Sequence, residues 1–443
     1  MMAVIGGKTG KFVAKIRKMA LPKHENREIS NVLGLRCHSC KREYPLRGSD
    51  YLCPYCDGNL SVDYDFRLLR KTLSREAFAR NGDLSLWRYC ALLPIDPAGR
   101  RPFARPGWTP LLKAERLGRA LGLLDLHLKD DGRNPSASLK DRASAVVLAD
   151  AMQKGISLIA GASTGNAASS LACMAAGTGV KPLVFVPAAA PPAKIAQLLL
   201  YGAEVLAVRG GYDQAFDLCL DACEEFGWYN RNTGFNPFTR EGKKTCSFEI
   251  IEQFGWRVPD VVVVSVGDGN ILSGLWKGFL DFKSAGLIDS LPRMVAVQAK
   301  GSAAIARAFS SGKPIRPVKA NTIADSISVN KPRDGDMARR ALRQSRGFAV
   351  VVSDEEILDA MRLCARSEGV FAEPAAAAAV AGLKRAAAEG RIRPRNRVVA
   401  VITGSGLKDV AGAMRAAPKP RSVAPAMSAL RALVKKNRSW VTP

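Results

Sequence analysis

The chain reads as an α/β protein: two lobes on parallel-type sheets, preceded by a small zinc-ribbon-like segment. Three observations predict this. Apolar runs of strand length alternate with helical periodicities from about residue 107 to residue 415. Turns rich in Gly, Ser and Asn join such runs to helices at four places. Cys37-x2-Cys40 and Cys53-x2-Cys56 form two knuckles separated by twelve residues.

Taken in order, residues 1–34 are a flexible basic N-terminus. Lys11–Leu21 is basic and apolar but lacks the serines of a targeting segment, and no cleavable signal precedes it. Residues 35–62 are the ribbon. Each knuckle lets two thiolates converge, and four thiolates make a closed, structural zinc site with no open position for catalysis. Residues 63–105 are a linker with a helical stretch. Residues 106–255 form an N-terminal α/β lobe, residues 256–416 a C-terminal one, and residues 417–443 a basic tail. Strands are expected at Leu126–Lys129, Leu158–Ala160, Leu183–Val186, Val205–Val208, Val261–Ser265, Met294–Gln298 and Val398–Ile402. Helices are expected at Asn166–Ala176, Ala193–Tyr201, Tyr212–Phe226 and Asp354–Ser367, among others.

The net charge of +26 suggests a polyanion partner, but its distribution weakens that reading. Residues 1–34 carry +5 and residues 417–443 carry +6, so eleven of the charges lie in the terminal segments. Nucleic acid is therefore not the expected partner. No apolar run is long enough for a membrane span. The remaining six cysteines are scattered among apolar residues, which suits reduced core thiols and a cytoplasmic protein.

In such folds ligands bind beyond the carboxyl ends of strands, where Gly-rich turns meet helix N-termini. The first such turn is Asn134-Pro135-Ser136-Ala137-Ser138-Leu139-Lys140-Asp141-Arg142. Ser136 and Ser138 are candidate N-caps for the helix that follows. Lys140 is placed to form a Schiff base once desolvated. The second, Gly161-Ala162-Ser163-Thr164-Gly165-Asn166-Ala167, offers amides and hydroxyls to a carboxylate. The third, Val266-Gly267-Asp268-Gly269-Asn270-Ile271, is a candidate phosphate cradle. Asp268 is expected to point outward there, since its charge would repel phosphate. The fourth, Thr403-Gly404-Ser405-Gly406-Leu407-Lys408-Asp409, can offer the Thr403 hydroxyl to a ring nitrogen.

The four turns in this order resemble the fold type II pyridoxal-phosphate (PLP) enzymes over roughly residues 107–415, the threonine synthases above all. Leu86–Pro94, Trp108-Thr109-Pro110-Leu111 and Ser163–Asn166 support that resemblance. It implies PLP as cofactor, carried by Lys140, which also moves protons. Asn166 would contact the cofactor's 3-hydroxyl. Gly267, Asp268, Gly269, Asn270 and Ile271 would hold its phosphate, and Thr403 would face its ring nitrogen. Ser163 and Thr164 would hold the substrate carboxylate. The implied reaction converts O-phospho-L-homoserine and water to L-threonine and phosphate. The implied partner is thus a phosphorylated amino acid, and a homodimer is left open.

The chain departs from the family's Asn-Pro-x-Arg-x-Glu-Gly segment. It reads Asn236-Pro237-Phe238-Thr239-Arg240-Glu241-Gly242, which displaces the arginine by one residue. Arg240 is the expected substrate-phosphate ligand after a local shift; Thr239 forfeits a charged, bidentate grip. Gly234 stands where a hydroxyl residue is expected. Lys243 and Lys244 read first as solvated helix lysines, with anion steering as the alternative, and Glu373 as a helix start. His24, His38 and His127 show no catalytic spacing. Two other functions stay open: a PLP lyase for another amino acid, and a basic zinc-ribbon protein that binds nucleic acid beside an inactive PLP fold.

Overall fold

The computed structural model describes residue 29, residues 31–46 and residues 51–437. Lys11–Leu21, His24 and most of the basic N-terminal stretch lie outside the described residues. Among the described residues no helix is long and apolar enough to cross a membrane.

The ribbon is a three-stranded antiparallel sheet: β1 (Val32–Cys37) lies between β2 (Glu43–Tyr44) and β3 (Leu60–Tyr64). Lys41 and Asp57 take left-handed backbone at the knuckle tips, and each donates its N–H to the carbonyl of the knuckle's first cysteine. This turns the paired thiols toward each other.

The rest of the fold uses β4 (Leu111–Lys113), β5 (Asp125–Asp130), β6 (Leu158–Ala162), β7 (Lys181–Pro187), β8 (Glu204–Val208) and β9 (Tyr229–Asn230). Then come β10 (Val261–Ser265), β11 (Arg293–Ala299), β12 (Phe348–Val352) and β13 (Arg397–Ile402). The larger sheet runs β12-β11-β10-β13-β5-β4, parallel except for β4. The smaller runs β8-β7-β6-β9 and is all parallel. Val261–Val264 are fully buried, as a strand covered on both faces requires. Every expected strand is present, most of them longer by a residue or two. The chain crosses the division expected at residue 255: β4 and β5 precede the smaller sheet in sequence but belong to the larger one, where β5 pairs with β13 and β4 with β5. Periodicity marks a strand without marking its neighbour, so the sequence left this pairing unread.

Helices cover both sheets. The alanine-rich helix Pro374–Ala388 packs against β10 and β13, with Ala376 to Ala379 fully buried. Helix Lys140–Gln153 lies against helix Phe238–Gln253, and Gly242 sets how closely. A Cβ at Gly242 would stand 2.0 Å from the Arg142 carbonyl oxygen. Residues 417–443, expected to be a tail, contain the helix Met427–Lys436. None of its residues is buried.

Candidate active site

Lys140 opens the helix Lys140–Gln153. The cap differs from expectation: Leu139 holds the N-cap position, with its N–H on the Thr403 carbonyl at 2.9 Å. The Ser138 hydroxyl accepts the Lys140 N–H at 3.1 Å, while Ser136 donates its N–H and hydroxyl to Asp141. Ser138 also bridges to Gly404, and the Ser405 N–H reaches the Ala137 carbonyl. The first and fourth turns are thus zipped together at the carboxyl end of β13. Burial pushes the Lys140 amine below the usual lysine range, aided by Arg231 and opposed by Glu373 and Asp268.

Lys140 faces a cavity of about 410 Å³ between the two sheets, which Thr403, Asn166, Ser163 and Thr164 also line. Helix Asn166–Ala175 starts at Gly165 with no side-chain cap, so its first amides are free for a ligand. Asn166 donates its side-chain N–H to both Glu373 carboxylate oxygens at 2.9 Å. Glu373 begins a helix as expected, but its side chain braces this wall. Burial raises its carboxyl above the usual range, against the Asn166 hydrogen bond.

The third turn leads from β10 into helix Asn270–Ser284, again with no side-chain cap. A Cβ at Gly267 would lie 2.8 Å from the Ile327 Cα. At Gly269, in left-handed backbone, it would lie 2.7 Å from the Asp334 carbonyl oxygen. Only glycine lets this backbone form a bare cradle. Asp268 does not point outward. Its Oδ1 accepts the Arg333 N–H at 2.5 Å, and its buried Oδ2 has no partner. Burial, reinforced by Asp334, pushes this carboxyl up to about 7. The outward reading assumed a charged group, and a carboxyl that can hold its proton need not avoid the interior.

Two basic residues stand in this wall: Arg231, which the sequence reading missed, and Lys243, for which it held anion steering only as the alternative. Lys243 is fully buried, and its Nζ donates to the Asn270 side chain. Arg231 is 3% exposed; it donates to the Thr233 and Ser144 hydroxyls, and its Nε has no partner. Among the described residues, neither is ion-paired to a carboxylate. Burial drives Lys243 well below the usual lysine range, helped by Lys140 and Arg231, and brings Arg231 down to about 10. Lys244 is equally buried, but it is balanced by Glu241 and Asp281. The first reading of both lysines placed them in solvent, and the structure buries both. Helix Phe238–Gln253 is buried on every side, so no polar face marks where they point.

Arg240 is not in the cavity. It donates to the Leu60 carbonyl at 2.9 Å, to Ser273 at 3.2 Å, and to Asp334, clamping the ribbon to the second lobe. Thr239 is buried on its own helix, its hydroxyl on the Asn236 carbonyl.

In the ribbon the sulfurs of Cys37, Cys40, Cys53 and Cys56 all lie within 4.8 Å of one another, with Cys40–Cys53 at 3.5 Å and Cys37–Cys56 at 3.6 Å. A zinc tetrahedron with bonds of about 2.3 Å needs sulfurs roughly 3.8 Å apart.

The cavity also fits a ring bearing a phosphate. The glycine cradle has room only for backbone, the Ser265 hydroxyl beside it is buried and unpartnered, and two basic side chains without a carboxylate partner line the wall.

Comparison with known proteins agrees. The chain is 38% identical to the threonine synthase of Methanocaldococcus jannaschii over 404 residues, which is 90% of this chain and 99% of that one. It is 38% identical to the threonine synthase of Methanosarcina acetivorans, over 90% and 97% of the two chains. The fold superposes on threonine deaminase isoform 2 of Solanum lycopersicum with a TM-score of 0.61 at 20% identity, covering 70% of this chain and 86% of that one. Residues 103–404 match the family described as "Pyridoxal-phosphate dependent enzyme", and the chain belongs to that family.

Proposed function

We propose that this enzyme is a threonine synthase-like lyase that converts O-phospho-L-homoserine and water to L-threonine and phosphate. The observation that carries the substrate class is the pair Lys243 and Arg231. Arg231 is a buried guanidinium without a carboxylate, and Lys243 beside it is an amine that burial biases toward its neutral form; an anion between them favours the charged form of both. The uncapped helix start at Gly269 offers its amides to the cofactor's phosphate, which leaves this pair for a phosphorylated substrate. The high identity to two threonine synthases over nearly their whole lengths supports the same reading.

In this reading Lys140 carries pyridoxal phosphate. The amides of Gly267 to Ile271 would hold its phosphate, and Asn166 and Thr403 would contact its 3-hydroxyl and ring nitrogen. When bound, the cofactor withdraws electrons from the substrate's α and β carbons. The Lys140 amine, biased toward its neutral form by burial, takes and returns protons at those carbons. Ser163, Thr164 and the open helix start at Asn166 orient the substrate carboxylate. Lys243 and Arg231 hold the phosphate and favour its departure from the γ carbon; water then adds at the β carbon. A protonated Asp268 can sit beside these anions as a hydrogen-bond donor rather than a repelling charge.

Replacing Lys243 with Gln is expected to raise KM for O-phospho-L-homoserine at least tenfold, while the visible spectrum of the bound cofactor stays that of the wild type. Initial rates and absorbance read the two effects separately. An unchanged KM would remove Lys243 from the substrate site. A wild-type protein that holds the cofactor but forms no threonine would transfer the assignment to a lyase for another amino acid.

We further propose that the four ribbon thiolates bind a structural zinc ion, and that the enzyme works in the reducing cytoplasm, where its ten unpaired cysteines belong. Elemental analysis should find one zinc per chain, and none in Cys40→Ser/Cys56→Ser. A metal-free wild type of full stability would refute this.

A further inference from the structure

A second cleft, about 760 Å³ in volume, runs along the seam between the ribbon and helix Gly335–Gln344. This size suits a small-molecule ligand. Five cations line it: Lys331, Arg333, Arg339, Arg340 and Arg343. The lining carries two carboxylates, Asp57 and Asp336, and Asp217 pairs with Arg333 at 3.5 Å. The compensation is weak. Arg339 is 9% exposed, its Nε is buried without a partner, and its one carboxylate, on the exposed Asp336, stands at 3.4 Å. Among the described residues Arg340 reaches only the His38 carbonyl, at 3.5 Å. Among the described residues Arg343 has no ion pair.

We infer that this cleft is a second anion-binding site, separate from the catalytic cavity, which takes a small phosphate-bearing molecule. Arginines present donor forks that match phosphate oxygens two at a time, and this cleft gathers four of them on one loop and one helix. Its concave form, walled by the ribbon on one side, favours a compact anion over a long polyanion.

The site shares a wall with the catalytic cavity. Lys331 and Arg333 line both. The Arg333 N–H is held by the Asp268 carboxylate, and Asn59 of the ribbon donates to the carbonyls of Gly234 at 2.7 Å and Arg333 at 3.3 Å. An anion that draws Lys331 and Arg333 toward the cleft therefore acts on the loop that positions Asp268, so occupancy should change KM for the amino-acid substrate.

The test uses inorganic pyrophosphate and the cofactor-loaded enzyme in calorimetric titrations. Arg340→Gln/Arg343→Gln is expected to weaken pyrophosphate binding at least tenfold, with turnover in its absence within twofold of wild type. Arg343→Glu, at an exposed residue without an ion pair, serves as a second variant and should weaken binding in the same direction. Lys243→Gln should retain the binding. Wild-type affinity in both arginine variants would overturn the proposal, as would binding lost in Lys243→Gln alone, which would assign the anion to the catalytic cavity. A DNA duplex that binds more tightly than pyrophosphate, and is released by the same arginine variants, would replace the small-anion site with a nucleic-acid surface.

Discussion

Lys140→Ala is expected to remain folded and to lose turnover of O-phospho-L-homoserine by about a thousandfold or more, the loss anticipated when a group that both holds the cofactor and moves protons is removed. The fold should survive for a specific reason. The Lys140 side chain makes no ion pair among the described residues. The start of its helix is fixed by backbone, through Leu139 on Thr403 and Ser405 on Ala137. Alanine is also the best helix former. Borohydride reduction followed by peptide mass spectrometry should place a pyridoxyl group on Lys140 in the wild type and on no residue in the variant. Lys140→Arg should be nearly as inactive, because a guanidinium keeps its charge and cannot serve as a base. Retention of more than about a tenth of wild-type turnover by Lys140→Ala would take Lys140 out of the chemistry.

The parts of the site built from local backbone were legible in the sequence, and the parts built from distant side chains were not. Gly267 and Gly269 announce a tight turn after a valine run, and close packing leaves no room for a side chain at either. The order Lys140, Ser163–Asn166, Gly267–Ile271, Thr403 follows from four strand-to-helix junctions, each a local signal. Lys243 is different. A lysine in a helix is ordinarily solvated, and only the close approach of two helices at Gly242 turns this one inward. Arg231 follows a two-residue strand whose pairing with β6 no pattern predicts. The error over Arg240 has the same origin. Its number along the helix was known, but the ribbon carbonyl of Leu60, 180 residues earlier, is what it grips. The outward reading of Asp268 failed because it treated a carboxyl as always charged.

The largest stability effect should come from a buried network around Arg142, two residues beyond Lys140. Glu249, fully buried on helix Phe238–Gln253, accepts hydrogen bonds from Arg142 at 2.7 Å, Lys129 at 2.7 Å and the Thr109 N–H at 3.2 Å. Arg142 in turn pairs with Asp131 at 2.7 Å, so two cations meet two carboxylates with no exposure to water. The network ties β5 and both central helices to the Thr109 turn, which holds the start of the Lys140 helix in place. Glu249→Gln keeps the shape but leaves one buried positive charge unmatched. The expected loss is about 3–5 kcal/mol, read as a lower denaturation midpoint in urea. The pH dependence follows from the same contacts. Burial alone would raise the Glu249 carboxyl, but Arg142 and Lys129 overcome it and hold it near 2, below its usual 4.5. The folded state therefore binds the proton more weakly than the unfolded one. The contribution is complete above pH 4.5 and is lost as pH falls toward 2, amounting to about 3 kcal/mol. Wild type should lose stability on acidification through this window, and Glu249→Gln should show a shallower slope from a lower start. Parallel slopes for the two proteins between pH 5 and pH 3 would show that Glu249 is not the charge the network depends on.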